Sequence, residues 1–212
     1  MHDQNDPKKI KIDCSKYFIR ALTTEDASDR LACWFSDPNV LYALNAPARI
    51  WSKGDVANYI NDFNHASKLL LGIFEKTGDI PIGIFTILIN PATGQGLINI
   101  LIGDAEYRNK GMRSRGVLVD ISVPFLDFLF HSRGLTEVLA SALARNKIII
   151  NLLLHLGWKL DGTLKSNQKS NSDGSMLDLC LFSLTRSSWD SSGARRRLIK
   201  LSSLANRRTL GR

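Results

Sequence analysis

The sequence predicts an α+β fold in which a mixed, mostly antiparallel sheet of about seven strands is flanked by about four helices. Apolar segments rich in β-branched residues follow one another in the first half of the chain, and strand-like and helix-like segments alternate in the second half. The chain has 212 residues, of which 44% are hydrophobic, so it is long enough to bury one large core.

The first elements along the chain are one strand and two helices. YFIRAL (17–22) is typical of a strand. TTEDASDRLACWFSD (23–37) opens with a threonine followed by two acidic residues, as a capped helix does, and the helix is expected to end at Asp37-Pro38. SKGDVANYINDF (52–63) has apolar residues at helical spacing, with Ser52 as the expected cap.

Three strands follow these helices. LLLGIFEK (69–76) and IPIGIFTILI (80–89) are rich in β-branched and aromatic residues, and TGD between them predicts a hairpin turn with its glycine at positive φ. The turn PATGQG then leads into the strand LINILIG (97–103).

The second half alternates between helices and strands. GVLVDISVPFLDFLFHSRG (116–134) and KIIINLLLHLG (147–157) have the apolar spacing of helices, and LTEVLASAL (135–143) lies between them as a strand. WKLDGTLK (158–165) and SMLDLCLFSLT (175–185) are the last two predicted strands.

The distribution of charge predicts three regions: a polar N-terminal extension (1–16), one domain (17–189) and a basic C-terminal tail (190–212). Nearly all of the formal net charge of +8 lies at the C-terminal end, which is also rich in serine, so a mobile or weakly helical tail is expected. No apolar run follows the first lysines, so we expect neither a signal peptide nor a membrane anchor, and a cytoplasmic protein.

The three cysteines, Cys14, Cys33 and Cys180, are widely separated, with no CxxC spacing and no paired histidines nearby. We therefore expect no metal site and no disulfide framework. Cys33 and Cys180 lie in apolar surroundings and are expected to be buried.

The segment GDAEYRNKGMRSRG (103–116) combines three glycines and four basic residues between a strand and a helix. Backbone N–H groups at the start of a helix attract phosphate, and a glycine such as Gly111 lets the backbone approach an oxygen closely. Arg108, Lys110, Arg113 and Arg115 add positive potential. A solvated basic turn is the alternative, and neither GxxxxGK[ST] nor GxGxxG is present.

Three segments resemble the GNAT superfamily of N-acetyltransferases. RNKGMR (108–113) resembles the family's R/Q-x-x-G-x-G/A segment, which cradles the pyrophosphate of acetyl-CoA. NKIIINLLLHLGWKLDGTLK (146–165) is similar to the second family segment, an asparagine followed by a helix, glycine and an aromatic residue. DLCLFSLTRSSW (178–189) resembles the ending of the branch that contains ribosomal-protein N-terminal acetyltransferases.

The resemblance implies transfer of an acetyl group from acetyl-CoA, as cosubstrate, to a primary amine: a small amine, an amino sugar or a protein N-terminus. A backbone N–H near Leu101 or Ile102 would polarise the thioester carbonyl, and Gly103 would mark the point where that strand leaves its neighbour. The positions implied in cofactor binding are Leu101, Ile102, Gly103, Arg108, Asn109, Lys110, Gly111, Met112, Arg113 and Asn146. For Asn146, a simple helix cap is the alternative.

The sequence departs from the family pattern at two positions. Arg113 replaces the usual small residue, and Leu153 stands where many members have a tyrosine that protonates the leaving thiolate. The strand 97–102 also lacks a carboxylate, so the catalytic acid and base stay unassigned. Four polar residues near the expected site are weak candidates: Asp104, Glu106, Ser141 and His155.

Other functions stay open. The protein is alternatively an acetyl-CoA-binding protein without turnover, or a ribosome- or RNA-associated protein that uses its basic tail for weak nucleic-acid contacts. The sequence also leaves open whether the protein forms a homodimer. In this family the first two helices and the late strands form the acceptor pocket; here Trp34, Tyr42, Trp51 and Tyr59 are either its lining or part of the core.

Overall fold

The computed structural model describes residues 10–109 and 111–200; the side chains of residues 109–115 lie outside this description. An eight-stranded sheet forms its centre. The strands are β1 (Lys11–Asp13), β2 (Tyr17–Ala21), β3 (Lys68–Glu75), β4 (Ile80–Asn90), β5 (Gln95–Ile102), β6 (Glu137–Leu143), β7 (Lys159–Lys169) and β8 (Met176–Thr185).

The described residues form eight α-helices. They are α1 (Asp29–Ser36), α2 (Pro38–Leu44), α3 (Lys53–Asn61), α4 (Ala105–Asn109), α5 (Gly111–Asp127), α6 (Lys147–His155), α7 (Arg186–Ser191) and α8 (193–200). A π-helical turn, Phe128–Ser132, extends α5. Within the described part of the chain, no helix has both the length and the apolar character needed to cross a bilayer.

The strand order is β1-β2-β3-β4-β5-β6-β8-β7, and every neighbouring pair is antiparallel except β5 and β6. The predicted fold class is confirmed. The strand and helix counts were too low because several elements, such as the three-residue β1, are too short to produce a clear periodic pattern.

The first helical region differs from its prediction. Residues Thr24–Asp26 form a 3-10 turn, in which the carboxylate of Asp26 accepts the Thr23 N–H at 2.8 Å, and α1 begins only at Asp29 with Ser28 as its cap. The predicted end at Asp37 is confirmed. Pro38 then starts α2, because proline lacks the N–H that a first helical residue leaves unpaired.

The turns and caps of the later elements mostly agree with the sequence. Ser52 caps α3, and its hydroxyl accepts the N–H of Asp55 at 3.1 Å. In the β3–β4 hairpin, however, the positive φ belongs to Asp79 (φ 50°) and not to Gly78. Aspartate tolerates this left-handed conformation better than most residues do, so Gly78 was the wrong choice.

Helices cover both faces of the sheet. On one face α1 and α3 pack through a cluster that includes Trp34 and Val56. On the other face α5 and α6 contribute to the larger core, which includes Phe130. Cys14 and Cys180 are buried, whereas Cys33 is exposed on α1, so the prediction that Cys33 is buried was wrong.

Both predicted terminal extensions contain residues that pack on the domain. Strand β1 adds to the sheet edge within the region expected to be an N-terminal extension. At the other end Trp189 is completely buried, and Asp127 at the end of α5 accepts hydrogen bonds from Trp189 Nε1 at 2.7 Å and from Arg195 Nε at 3.0 Å. The expectation of a mobile tail stays a prediction for residues 201–212, which lie outside the described residues.

Candidate active site

The parallel pair β5–β6 opens into a wedge in the sheet. Pairing joins only Gln95–Leu97 to Glu137–Leu139, and beyond these residues the two strands separate. A cavity of about 230 Å³ fills the opening, and we call it the wedge cavity. Its walls include Ile98–Ile100 of β5, Ala140–Leu143 of β6, Phe125 of α5 and Leu153 of α6.

Backbone donors of β5 face this wedge. The N–H of Gly103 bonds to the carbonyl of Ile82 in β4 at 3.0 Å. Because successive residues of a strand point their N–H groups to opposite sides, Leu101 also faces β4, whereas Ile100 and Ile102 face the open side. Of the two donors predicted for a polarised carbonyl, Ile102 is therefore the available one and Leu101 is not.

Gly103 directly follows β5, where its own N–H and that of Asp104 both donate to the carbonyl of Ile82, and it also has a packing role. The strands separate after Leu97, six residues before this glycine. A Cβ atom at Gly103 would lie 2.0 Å from Cδ2 of Trp34, so the glycine is needed for close packing beneath the indole.

A second cavity of about 310 Å³, which we call the middle cavity, adjoins the wedge cavity. The two cavities share residues of α2, β5 and α6, among them Leu44, Ile100 and Asn146. Four of the predicted cofactor-binding residues line the middle cavity: Leu101, Ile102, Arg108 and Asn146.

Asn146 caps α6, as the alternative interpretation held, and it also borders both cavities. Its Oδ1 accepts the N–H of Ile149 at 3.3 Å. Among the described residues, its Nδ2 group has no hydrogen-bond partner. A capping role therefore leaves the amide donor available for a ligand.

Arg108 forms polar contacts with residues outside its own helix. Its guanidinium forms an ion pair with the carboxylate of Asp37, which lies between α1 and α2, and its Nη1 donates to the carbonyl of Gly103 at 3.4 Å. Burial opposes ionisation of Asp37, but the hydrogen bond and charge of Arg108, together with hydrogen bonds from Asn39, outweigh burial and lower the pKa of Asp37. Its ion pair makes Arg108 a link between α4 and α2.

The segment predicted as a phosphate-binding turn is mostly helical. Asn109 ends α4 and Gly111 begins α5. Lys110 lies outside the described residues, as do the side chains of Asn109, Met112 and Arg113. The backbone N–H groups of Gly111, Met112 and Arg113 belong to the first turn of α5, where a helix leaves its donors unpaired.

The weak catalytic candidates are dispersed. Asp104 accepts the N–H of Glu106 at 2.8 Å and pairs with Arg30, so it caps α4. Exposed His155 donates from Nδ1 to the carbonyl of Asn151 at 2.7 Å, one turn back on α6. Only Ser141 lines the wedge cavity.

Two further residues of the wedge cavity, Leu153 and Trp158, affect which hydrogen-bonding groups the cavity can offer. Leu153, at the position of the family tyrosine, lines the cavity, so no hydroxyl is present there. The indole N–H of Trp158 is buried, without a hydrogen-bond partner among the described residues, at the same cavity. Sequence reasoning used Trp158 only for its spacing and missed this donor, because an unsatisfied N–H can be recognised only in three dimensions.

A third cavity of about 570 Å³, which we call the outer cavity, lies between α1, α2 and the turn that joins β7 to β8. Of the four aromatic residues predicted near the acceptor, only Tyr42 lines it. Trp34 packs against Gly103, while Trp51 and Tyr59 pack against the ring of Phe35 at centroid distances of 4.8 and 5.3 Å. Trp34, Trp51 and Tyr59 are therefore packing residues.

Asn45 fixes the geometry of the outer cavity. This residue ends α2 in a left-handed conformation (φ 52°), and its Nδ2 donates to the carbonyl of Lys169 at 2.9 Å. In return, the backbone N–H of Asn171 donates to Asn45 Oδ1 at 2.8 Å. These bonds hold the β7–β8 turn against α2, a contact that sequence reasoning missed because the partners are 126 residues apart.

Comparisons with known proteins agree with this architecture. Residues 16–159 match the family described as acetyltransferase (GNAT) domain. A comparison with the sequences of curated proteins finds no match.

Several solved structures have the same fold. Spermidine N-acetyltransferase from Vibrio cholerae, in complex with CoA and spermine, has a TM-score of 0.72 at 17% identity, covering 84% of this chain and 99% of that one. Ribosomal-protein-S5-alanine acetyltransferase from Vibrio fischeri has a TM-score of 0.69 at 19% identity, with coverages of 85% and 99%. Mycobacterium smegmatis RimJ, in complex with CoA-disulfide, has a TM-score of 0.70 at 16% identity, with coverages of 91% and 93%.

Proposed function

The chain belongs to the GNAT acetyltransferase family, and from that membership we propose that it transfers the acetyl group of acetyl-CoA to a primary amine bound in the outer cavity. One observation carries the proposal: the three cavities adjoin one another in series, each sharing lining residues with the next. The wedge and middle cavities share Asn146, and the middle and outer cavities share Tyr42 and Arg145. A donor molecule in the first two cavities would therefore meet an acceptor that enters through the third.

The residues of the wedge suit a pantetheine arm. The N–H groups of Ile100 and Ile102 face the opening without a strand to pair with, and Asn146 has an unused amide donor beside them. Half-buried donors of this kind favour a ligand with amide oxygens. When bound, acetyl-CoA supplies an acyl group activated as a thioester.

The start of α5 suits the pyrophosphate. Helix α5 has 17 residues, and its first N–H groups, from Gly111 to Arg113, carry the positive end of the helix dipole. Gly111 presents this backbone without a side chain in front of it. We therefore retain Asn109, Lys110, Gly111, Met112 and Arg113 as proposed phosphate contacts, mainly through the backbone.

The chain's own groups account for the chemistry mainly by positioning. The N–H of Ile102 would donate to the thioester oxygen, where negative charge develops during attack. No carboxylate is present among the described residues that line the three cavities. We therefore propose that the small neutral fraction of the amine attacks the thioester carbon, that a C–N bond forms as the C–S bond breaks, and that CoA leaves as a thiolate. Water accepts the proton of the amine and supplies one to the thiolate, and orientation within the cavities supplies much of the rate.

A second candidate is an acetyl-CoA-binding protein without turnover. The observation that favours it is Leu153, which places a methyl-terminated side chain at the wedge where many family members have a catalytic hydroxyl. Binding of RNA or ribosomes through exposed Arg196 and Arg197 of α8, and formation of a homodimer, stay predictions.

The test is release of free CoA from acetyl-CoA, assayed with small amines, amino sugars and peptides with a free N-terminus, beside calorimetric titration with CoA. Binding with amine-dependent CoA release supports the transferase, whereas binding without release by any acceptor supports the second candidate. Absence of binding at about 1 mM CoA, where even a weak site would respond, contradicts both.

Gly111→Val tests the proposed phosphate contact. We expect loss of CoA affinity, because a branched side chain would obstruct the backbone at the start of α5. Gly116→Val is the matched control: it lies on the same helix, and a Cβ there has no neighbour within 4 Å. Equal CoA affinities of the two variants would exclude Gly111 from the site.

A further inference from the structure

The charged side chains that line the outer cavity, among the described residues, are all positive. Two arginines, Arg49 and Arg145, line it, and no aspartate or glutamate does so among the described residues. A cavity with this lining attracts anions and repels cations.

The two arginines differ in how their charges are balanced. Arg49 forms an ion pair with Asp55 at 2.5 Å, and its guanidinium lies over the ring of Trp51 at 4.6 Å. Arg145 has no carboxylate at ion-pair distance among the described residues. Of the two arginines, Arg145 is therefore the one without a direct carboxylate partner among the described residues.

Arg145 is nevertheless held in place. One of its terminal nitrogens donates to the carbonyl of Tyr42, and its guanidinium lies 3.7 Å from the centroid of the Tyr42 ring. Its Nε atom is buried and has no hydrogen-bond partner among the described residues. A guanidinium that is fixed, partly buried and short of an acceptor is organised to receive an oxyanion.

The nearby turn carries a carboxylate, Asp173, which interacts with Arg145 at a distance but forms no ion pair with it among the described contacts. Arg145 contributes to lowering the pKa of Asp173 to about 2, but hydrogen bonds from Ser170 and Ser175 are the larger causes. Both the backbone N–H and the hydroxyl of Ser175 donate to Asp173 Oδ1, at 3.1 and 2.8 Å. The Asp173 carboxylate is thus engaged within the β7–β8 turn.

We propose that Arg145 binds an anionic group of the acceptor, so that the preferred substrates are amines that also carry a carboxylate or a phosphate. The proposal rests on the proposed function, because it assigns the outer cavity to the acceptor. Arg145 borders both the middle and the outer cavity, so an anion bound there would direct the acceptor's amine toward the thioester. Among the described residues that line the outer cavity, a polyamine would meet positive side chains and no carboxylate to bind it.

The experiment compares matched acceptors in calorimetric titrations, with and without saturating CoA. Glycine is paired with glycinamide, and O-phosphoethanolamine with ethanolamine, so that the two pairs distinguish carboxylate from phosphate; spermidine is the polycation. We expect the full-length protein to bind at least one anionic member about tenfold more tightly than its neutral partner, as a charge-assisted contact allows. Equal or tighter binding of the neutral members or of spermidine, or no binding of either anion at about 10 mM, overturns the proposal.

Arg145→Gln assigns the preference to this residue. We expect the variant to lose the roughly tenfold preference and to retain its CoA affinity. The matched control is Arg196→Gln, at an exposed arginine of α8 that lines none of the three cavities, and it should retain both. A fall in CoA affinity with an unchanged acceptor preference would instead make Arg145 a cofactor contact and overturn the proposal. Because these titrations measure acceptor binding without turnover, their result is independent of the CoA-release assay.

Discussion

Gly103 lies at the point where β5 ends beneath the indole of Trp34. The contact ties α1 to the strand whose backbone faces the wedge, so its packing affects both stability and the site. A methyl group at Gly103 would overlap the ring, and either the ring or the strand would have to move.

Gly103→Ala is therefore expected to lower the free energy of unfolding by about 1–3 kcal/mol, the usual cost of overpacking a core. Gly116→Ala is the control, because its Cβ has open space within α5, and alanine in a helix gains about 0.5–1 kcal/mol over glycine. Urea denaturation of both variants measures the difference. If Gly103→Ala is as stable as the parent, the close packing beneath Trp34 is not what retains the glycine.

Leu153 offers a gain-of-function test. Its side chain borders the wedge cavity, which has room beside it for a larger ring. Leu153→Tyr is expected to raise kcat at least about tenfold, since a positioned acid commonly contributes about 100-fold or more. Leu153→Phe adds the ring without the hydroxyl and should give no gain. Equal kcat values for the two variants in the CoA-release assay would show that thiolate protonation does not limit turnover.

Single residues were the least predictable part of the site. The position of Asn146 at the start of a helix could be predicted, because the capping residue directly precedes the helix in the sequence. The importance of Arg145 depends on Tyr42, 103 residues away, and on the fact that no described residue lining the cavity is anionic. Neither relation has a local signal in the sequence.

At the scale of elements, α7 and α8 are held to the end of α5 by Asp127. Burial alone would raise the pKa of Asp127, but hydrogen bonds from Arg195 and Trp189 outweigh it and lower the pKa below its usual value. The ionised carboxylate therefore stabilises the fold at neutral pH. This stabilisation is present above the pKa of the unfolded state, near 4, and is lost as the pH falls through the lower folded value.

Asp127→Asn is expected to lower the free energy of unfolding by about 1–2 kcal/mol at pH 7, since hydrogen bonds to a partly exposed charged acceptor are lost. The difference from the parent should shrink as the pH falls below about 4. Asp190→Asn, which alters an exposed neighbour that faces His131, should change stability by less than about 0.5 kcal/mol. A constant difference between Asp127→Asn and the parent from pH 7 to pH 3 would contradict the charge-based explanation.

Long periodic elements were predictable, and short ones were not. Helix α6 and strands β3, β4 and β5 follow from apolar patterns that extend over eight or more residues. Helix α2 has only seven residues and begins immediately after α1 ends, so its pattern merges with that of its neighbour. The predicted phosphate turn became helix because glycine and basic residues are compatible with either structure.

At the scale of the whole molecule, the proposed ligand would join the two halves of the sheet. If CoA binds in the wedge, it stabilises the folded state by about 2.7 kcal/mol at a concentration 100 times its Kd. For a protein of this size we expect a Tm rise of roughly 5–10 °C. ATP at the same concentration is the control, because it has phosphates but no pantetheine arm. An equal rise in Tm with ATP would show that the stabilisation comes from anion binding alone.

The wedge also separates the strands formed by the first part of the chain from those formed by the second part. Residues 11–102 build the five strands on one side of the opening, and residues 137–185 build the three strands on the other, so the chain passes between the two groups only once, through α4 and α5. Three residue pairs join the groups across the β5–β6 seam. An insertion in a loop of either group therefore leaves the pairing within the other group unchanged, and the two walls of the site can diverge separately in sequence.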